Sequence, residues 1–203
     1  GDHRDLQKEY RRQRQMCIRD RMISRSEVIK MIMKKTTSDH LVLSTTGMIS
    51  REVFSHDDRQ ENFYMIGSMG LASSFGLGIA KSNPDKKIII LDGDGSFLMN
   101  LGAAACIGFY NTSNIVHIIL DNFSYESTGS QNSISNKIDL CNIAKSSGYK
   151  FVDEIINFDI NKISFDKKEL SFYRIHVGIE SNEEISRVTH TPEEITSNFK
   201  LIL

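Results

Sequence analysis

Lys87-Ile88-Ile89-Ile90-Leu91-Asp92-Gly93-Asp94-Gly95-Ser96 and Ile115-Val116-His117-Ile118-Ile119-Leu120-Asp121-Asn122 are the two stretches that decide the fold. Each is an apolar run rich in Ile and Val that ends abruptly in acids, an amide or glycines. Runs of this length and composition read as strands buried on both faces. Between them, Phe97 to Phe109 is apolar and long enough for one crossover helix. The whole is a βαβ unit, with Asp94 and Asn122 leaving neighbouring strand ends, 28 positions apart (122 − 94). A carboxylate and an amide oxygen at one sheet edge suit a hard cation that holds a diphosphate.

Working outward, Glu27 to Met33 alternates apolar residues at helical spacing, with Ser26 as its cap. Leu41-Val42-Leu43 reads as a strand, followed by Ser44-Thr45-Thr46-Gly47. Residues 51–63 read as polar and irregular. Gly67-Ser68-Met69-Gly70 opens a helix over Leu71–Ala80, whose Gly70, Ser74 and Gly78 form a face for close backbone approach. Beyond the βαβ unit come a polar loop (Asn122–Lys137), a helix (Asp139–Ser147) and strands at Phe151-Val152 and Phe172–Val177. Thr191-Pro192-Glu193-Glu194 begins a final helix toward Leu203 with a capping box and an N-terminal proline. Strands alternating with helices predict an α/β protein: a three-layer α/β/α arrangement around a mostly parallel sheet.

The bulk numbers limit the function. The chain has 203 residues and a net charge of −1, with a pI near 6.7, which argues against a nucleic-acid partner or an anionic membrane. No apolar run approaches the length of a membrane span. Cys17, Cys106 and Cys141 lack metal-ligand spacing, and Cys106 and Cys141 read as packed, reduced thiols on helix faces. A cytoplasmic protein is the default expectation. Residues 1–21 are dense in charge, including Arg11, Arg12, Arg14, Arg19 and Arg21, and have no apolar core of a signal peptide. They read as a leader, a non-native extension or a translation artefact, with a basic partner-binding arm as the alternative. The domain proper then runs over 22–203.

Gly93-Asp94-Gly95-Ser96 has a physical logic. The glycines let the backbone turn sharply and approach a ligand closely, the following helix start offers free N–H groups to phosphate, and Asp94 offers an oxygen to Mg²⁺. The dinucleotide fingerprint fits poorly, since Leu98 occupies its third glycine position. Asn122 adds an amide oxygen and Ser124 a main-chain carbonyl; an Asx-turn at Asn122 is the plainer reading.

Gly93-Asp94-Gly95 followed by Asp121-Asn122 resembles the thiamine diphosphate signature of the 2-oxo acid decarboxylase superfamily. The resemblance implies that Asp94, Asn122 and the carbonyl of Ser124 bind Mg²⁺. It implies that Thr46, Gly47 and Met48 contact the diphosphate together with Gly93, Gly95, Ser96 and Tyr125. Gly67, Ser68 and Met69 would lie under the cofactor: the Gly67 carbonyl accepts a hydrogen bond from the aminopyrimidine, and Met69 forces the cofactor into a V. Met69 is equally readable as a core methionine. Asp121 stands where the family has Asn, at a position that is not a ligand.

More narrowly, Ser44–Glu52, Glu61–Gly70 and Asp121–Gln131 resemble the phosphonopyruvate and sulfopyruvate decarboxylase branch. Ser44-Thr45-Thr46-Gly47 and Arg187–Pro192 look more like the phosphonopyruvate side, and Asn62-Phe63-Tyr64-Met65 more like the sulfopyruvate side. The resemblance implies decarboxylation of a small 2-oxo acid bearing a phosphonate or sulfonate. It also implies a pyrimidine-binding partner subunit, which supplies a glutamate absent from this pattern, and hence a hetero-oligomer or a dimer of such. A cofactor-binding subunit without activity of its own is the other reading. Glu126 is the candidate for proton transfer, or a solvated loop acid. Arg51, Arg59 and Lys137 are loop candidates for the anionic tail. His56 and His117 are weaker site candidates, His117 reading as a packed strand histidine.

Overall fold

A computed structural model describes residues 22–178 and 185–203. The leader expected over 1–21 lies outside the described residues. Six parallel strands form one sheet in the order β2-β1-β3-β4-β8-β7: β1 (His40–Ser44), β2 (Asn62–Tyr64), β3 (Lys87–Gly93), β4 (Ile115–Asp121), β7 (Phe151–Ile155) and β8 (Ser171–His176). The long apolar runs lie at its centre, and every residue of β4 is buried. Side chains alternate between faces as the strand period requires. Ile89, Leu91, Val116, Ile118 and Leu120 join one cluster with α1 (Arg25–Lys35) and α2 (Met48–His56). Ile88, Ile90, Ile115 and Ile119 join the other, against α3 (Ala72–Ser82), α5 (Leu101–Tyr110) and α6 (Leu140–Ser147). At the β2 edge, α7 (Pro192–Lys200) sends Ile195 into the first cluster and Phe199 into the second. The three-layer α/β/α arrangement is as the sequence predicts.

The order of the strands positions the site. From β1 the chain crosses through α2 to β2 on one side, while from β3 it crosses to β4 on the other. The crevice beyond the carboxyl ends of β1 and β3 is therefore the topological switch point, where ligands bind in open α/β sheets.

Local expectations need correcting in five places. First, α1 starts two residues earlier, because Ser24, not Ser26, accepts the Glu27 N–H (3.1 Å). Second, residues 51–63 are not irregular: α2 covers the first six and β2 begins at Asn62. Third, the crossover is two helices, α4 (Asp94–Met99) and α5, broken at Asn100, whose ψ of 59° is not helical. Fourth, the polar loop contains a small antiparallel pair, β5 (Ser124–Tyr125) with β6 (Gln131–Asn132). Fifth, Cys106 is exposed, because α5 turns that face outward; Cys141 is buried as expected. The box at Thr191 and Glu194 forms as predicted, and the helix expected over 139–147 stops at Gly148 (φ 106°).

The predicted close approach holds at Gly70, where a Cβ would fall 3.2 Å from Cβ of Met99, but not along α3 itself. A Cβ on Gly78 would meet nothing within 4 Å, whereas one on Gly76 would fall 2.5 Å from Cδ1 of Ile90. Helix propensity alone favours alanine at both by about 1 kcal/mol, but overpacking costs about 1–3 kcal/mol. Gly78→Ala should therefore stabilise the chain by about 0.5–1 kcal/mol, and Gly76→Ala should destabilise it by about 1 kcal/mol. Urea unfolding of the two variants reads the difference directly.

Candidate functional site

In the register of β3 on β4, Gly93 faces Leu120, so Asp94 and Asn122 emerge side by side. A third loop arrives from β1. Ser96 ties them: its hydroxyl lies 2.9 Å from Oγ1 of Thr45 across the switch point and accepts the Gly70 N–H at 3.1 Å. The side-chain amide of Asn100 donates to the Gly70 carbonyl (3.0 Å), closing the 67–70 loop onto the break between α4 and α5. Gly95 must lack a side chain, since a Cβ there would sit 2.3 Å from the Tyr125 ring.

The result is an open cleft at the carboxyl ends of the strands. Of the predicted site residues, Thr46, Met48, Met69, Gly93, Asp94, Gly95, Ser96, Asn122, Ser124, Tyr125 and Glu126 line it. Gly47, Gly67 and Ser68 do not; Gly47 (φ 97°) and Ser68 (φ 58°) instead shape their loops from behind. Sequence reading missed Arg25 and Ile49, among others, whereas Thr45 belongs to the loop expected at the diphosphate.

Asp94 is 2 % exposed. Its Oδ2 accepts from the hydroxyls of Ser133 and Ser135, the latter at 3.1 Å. The Ser135 hydroxyl also lies 2.9 Å from Oδ1 of the fully buried Asp121, and a single O–H serves only one of them at a time. Burial, and then the Asp121 carboxylate, push the Asp94 carboxyl up to about 6, against the pull of the serines and the Gly95 N–H. Asp121 itself is structural. Arg174 reaches it through Nε (2.8 Å) and Nη2 (2.7 Å) and extends to Glu154 at 3.0 Å.

Asn122 forms the expected Asx-turn, its Oδ1 accepting the Ser124 N–H at 3.0 Å, while its Nδ2 donates to Oε2 of Glu126 at 2.9 Å. Glu126 is held in turn by Arg25, which grips the fully buried Glu52 through Nε (2.8 Å) and Nη2 (2.6 Å). Burial works against the Arg25 charge, but the two glutamates outweigh it and hold the guanidinium above its usual range. Removing one partner of such a buried pair costs about 3–5 kcal/mol.

The tail candidates do not reach the cleft. Arg51 is on α2, Arg59 donates to the carbonyls of Thr37 and His40 at the opposite edge of the sheet, and Lys137 is exposed. His56 bonds Ser26. His117 packs as predicted against Phe97, Phe172 and Tyr149, whose hydroxyl is 2.9 Å from its Nδ1. Among the described residues the one cation lining the cleft is Arg25.

A carboxylate with high proton affinity, an oriented amide and a loop carbonyl form a hard-oxygen set that suits a divalent cation. The buried hydroxyl of Ser124 has no hydrogen-bond partner among the described residues, which leaves a further oxygen in the same wall. Among the described residues no group of three His, Cys, Asp or Glu side chains forms a metal cluster, so such a cation would depend on the amide and carbonyl.

The fold is an α/β domain with a polar cleft at the switch point of its parallel sheet. Residues 45–163 match the family described as thiamine pyrophosphate enzyme, C-terminal TPP binding domain, and the chain belongs to that family. It is 35% identical over 183 residues to a phosphonopyruvate decarboxylase of Streptomyces viridochromogenes, covering 87% of this chain and 45% of that one. It is 37% identical over 183 residues to a sulfopyruvate decarboxylase subunit beta of Methanococcus maripaludis, covering 87% and 96%. The corresponding subunit of Methanocaldococcus jannaschii is 46% identical over 125 residues, 61% of this chain and 66% of that one. The chain thus spans less than half of the matched Streptomyces decarboxylases. A solved structure of a protein from Mycobacterium smegmatis shares the fold, with a TM-score of 0.64 at 16% identity over 77% of this chain and 32% of that one. No described helix is long and apolar enough to cross a membrane.

Asp94 binds its proton more tightly folded than unfolded, where its value is 3.8. Its contribution to stability is present below the unfolded value and is lost as pH rises through about 6. Asp94→Asn should therefore stabilise the cofactor-free chain at neutral pH by about 1–3 kcal/mol and flatten its pH dependence between the two values. Denaturant unfolding across pH checks this.

Proposed function

We propose that this chain is the diphosphate-binding subunit of a split, thiamine diphosphate- and Mg²⁺-dependent enzyme that decarboxylates 3-phosphonopyruvate to phosphonoacetaldehyde in the cytoplasm. The observation that carries the reading is the meeting of Asp94, Asn122 and Ser124 on adjacent strand ends, beside the turn at Gly93–Ser96. Asp94, the Asn122 oxygen and the Ser124 carbonyl would hold the metal. The Thr46–Met48 loop, with the Ser96 and Tyr125 region, would hold the diphosphate. Met69, 36 % exposed at the cleft rim, would contact the cofactor, carried on the loop that Gly67 and Ser68 shape. When bound, the cofactor supplies the electron sink for loss of carbon dioxide. Glu126 lines the same cleft and is the residue we assign to proton transfer.

The pyrimidine-binding half, and the cation that recognises the phosphonate, come in this reading from a partner subunit. Arg25 is already engaged by two carboxylates. The matches to sulfopyruvate decarboxylase beta subunits, one at 46% identity, support sulfopyruvate as the second reading. A binding subunit without its own turnover is tested by the same assay.

Titration with thiamine diphosphate and Mg²⁺, followed by calorimetry, should show metal-dependent binding that Asp94→Ala weakens by at least about a hundredfold. Turnover of phosphonopyruvate and sulfopyruvate, measured with the pyrimidine-domain partner added, then ranks the substrates. Faster turnover of sulfopyruvate would replace the first reading with the second.

A further inference from the structure

Asn122 has two ends, and only the oxygen can face a cation. A half-turn of the amide would present Nδ2 and repel the metal. The Asx-turn to Ser124 N–H holds one end (3.0 Å), as it would for any asparagine at such a strand end. The other end depends on a carboxylate placed at one point, Oε2 of Glu126, 2.9 Å from Nδ2. Nothing local fixes that carboxylate, because Glu126 begins a three-residue 3₁₀ turn and its side chain is long.

Arg25 fixes it from 101 residues away in sequence: Nη1 donates to the same Oε2, and Nη2 lies 3.4 Å from Oε1. Arg25 is 3 % exposed and is itself locked by two parallel bonds to Glu52, which is 0 % exposed. Glu52 rides on α2, the helix that follows the Thr46–Gly47 loop at the same cleft. A guanidinium fork can bridge two carboxylates at once, which an ammonium point charge does far less well.

We propose that Arg25 is a positioning residue which, through Glu126, sets the orientation of the Asn122 amide and so the affinity of this site for a divalent cation. The inference rests on the cofactor reading above. It converts the packing of α1 on α2 into the aim of one oxygen. Partners of this kind typically change metal affinity by about 10–100-fold.

The test uses the full chain as wild type, Arg25→Met, Glu126→Ala, Glu126→Gln and the double variant Arg25→Met/Glu126→Ala. Two quantities are read. The first is solvent exchange of the Asn122 side-chain amide protons by ¹⁵N–¹H correlation NMR, assigned by their loss in Asn122→Asp. The second is Mn²⁺ affinity with thiamine diphosphate present, by electron paramagnetic resonance. Arg25→Met and Glu126→Ala should each speed amide exchange and weaken Mn²⁺ binding by about 10–100-fold. The double variant should be no weaker than Glu126→Ala alone, to within about twofold. Glu126→Gln keeps an accepting oxygen and should lose less than about fivefold.

Unchanged amide exchange in Arg25→Met, or losses that multiply in the double variant, would overturn the inference. If Arg25→Met does not fold, equal losses in Glu126→Ala and Glu126→Gln would overturn it as well. Amide behaviour as expected in a wild-type chain that binds no Mn²⁺ would overturn the cofactor reading, and the inference with it.

Discussion

Everything at the site depends on the parallel pairing of β3 with β4. Because Gly93 lies opposite Leu120, the chain leaves both strands at one level and delivers Asp94, Asp121 and Asn122 to one place. The arrangement works against folding, since two carboxylates are buried within reach of one serine hydroxyl. Arg174 compensates Asp121, whereas Asp94 has hydroxyls and a backbone amide but, among the described residues, no cation of its own. Its raised proton affinity records that imbalance. A site that destabilises the empty protein is what a bound cation would relieve, and strained or charged clusters of this sort concentrate at functional positions.

Two buried arginines stand on either side of this edge. Arg174 neutralises the carboxylate that faces away from the cleft and also bonds the carbonyl of Ser135, so it organises the serine pair that contacts Asp94. Arg25 organises the opposite wall through Glu126. Buried ion pairs contribute little net stability relative to apolar packing. Their use here is geometric, since each holds a polar group that touches the cleft in one orientation. The apolar clusters above and below the sheet supply the stability that permits this.

The central strands and the layering were readable from local pattern, whereas the short β2 at the sheet edge and the β5/β6 pair were not. Ile88–Leu91 and Ile115–Leu120 have no other home than a sheet covered on both faces, and Asp94 and Asn122 follow from where those runs stop. The glycines of α3 show the limit. Spacing alone suggested Gly70, Ser74 and Gly78, yet the helix turns Gly76 to the sheet, because the apolar residues Ala72, Leu77 and Ala80 decide which side is buried. Arg25 and Glu52 were illegible for a different reason. A charge at a helix start and a charge in a polar stretch look solvated, and their burial arises only from contact between segments far apart in sequence. Arg59 shows the converse: it is placed in a loop as predicted, but at the amino ends of the strands, where it caps carbonyls far from the cleft.

The central claim is that the ends of β3 and β4 form a metal-diphosphate site. Its most direct test is a crystal grown with thiamine diphosphate and Mn²⁺, with anomalous diffraction recorded near the manganese edge. One strong peak bonded to the Asp94 carboxylate, the Asn122 oxygen and the Ser124 carbonyl, with the diphosphate against Gly93–Ser96, is the predicted result. A cofactor bound with its metal elsewhere, or a manganese peak held by Asp121 in place of Asp94, would contradict it.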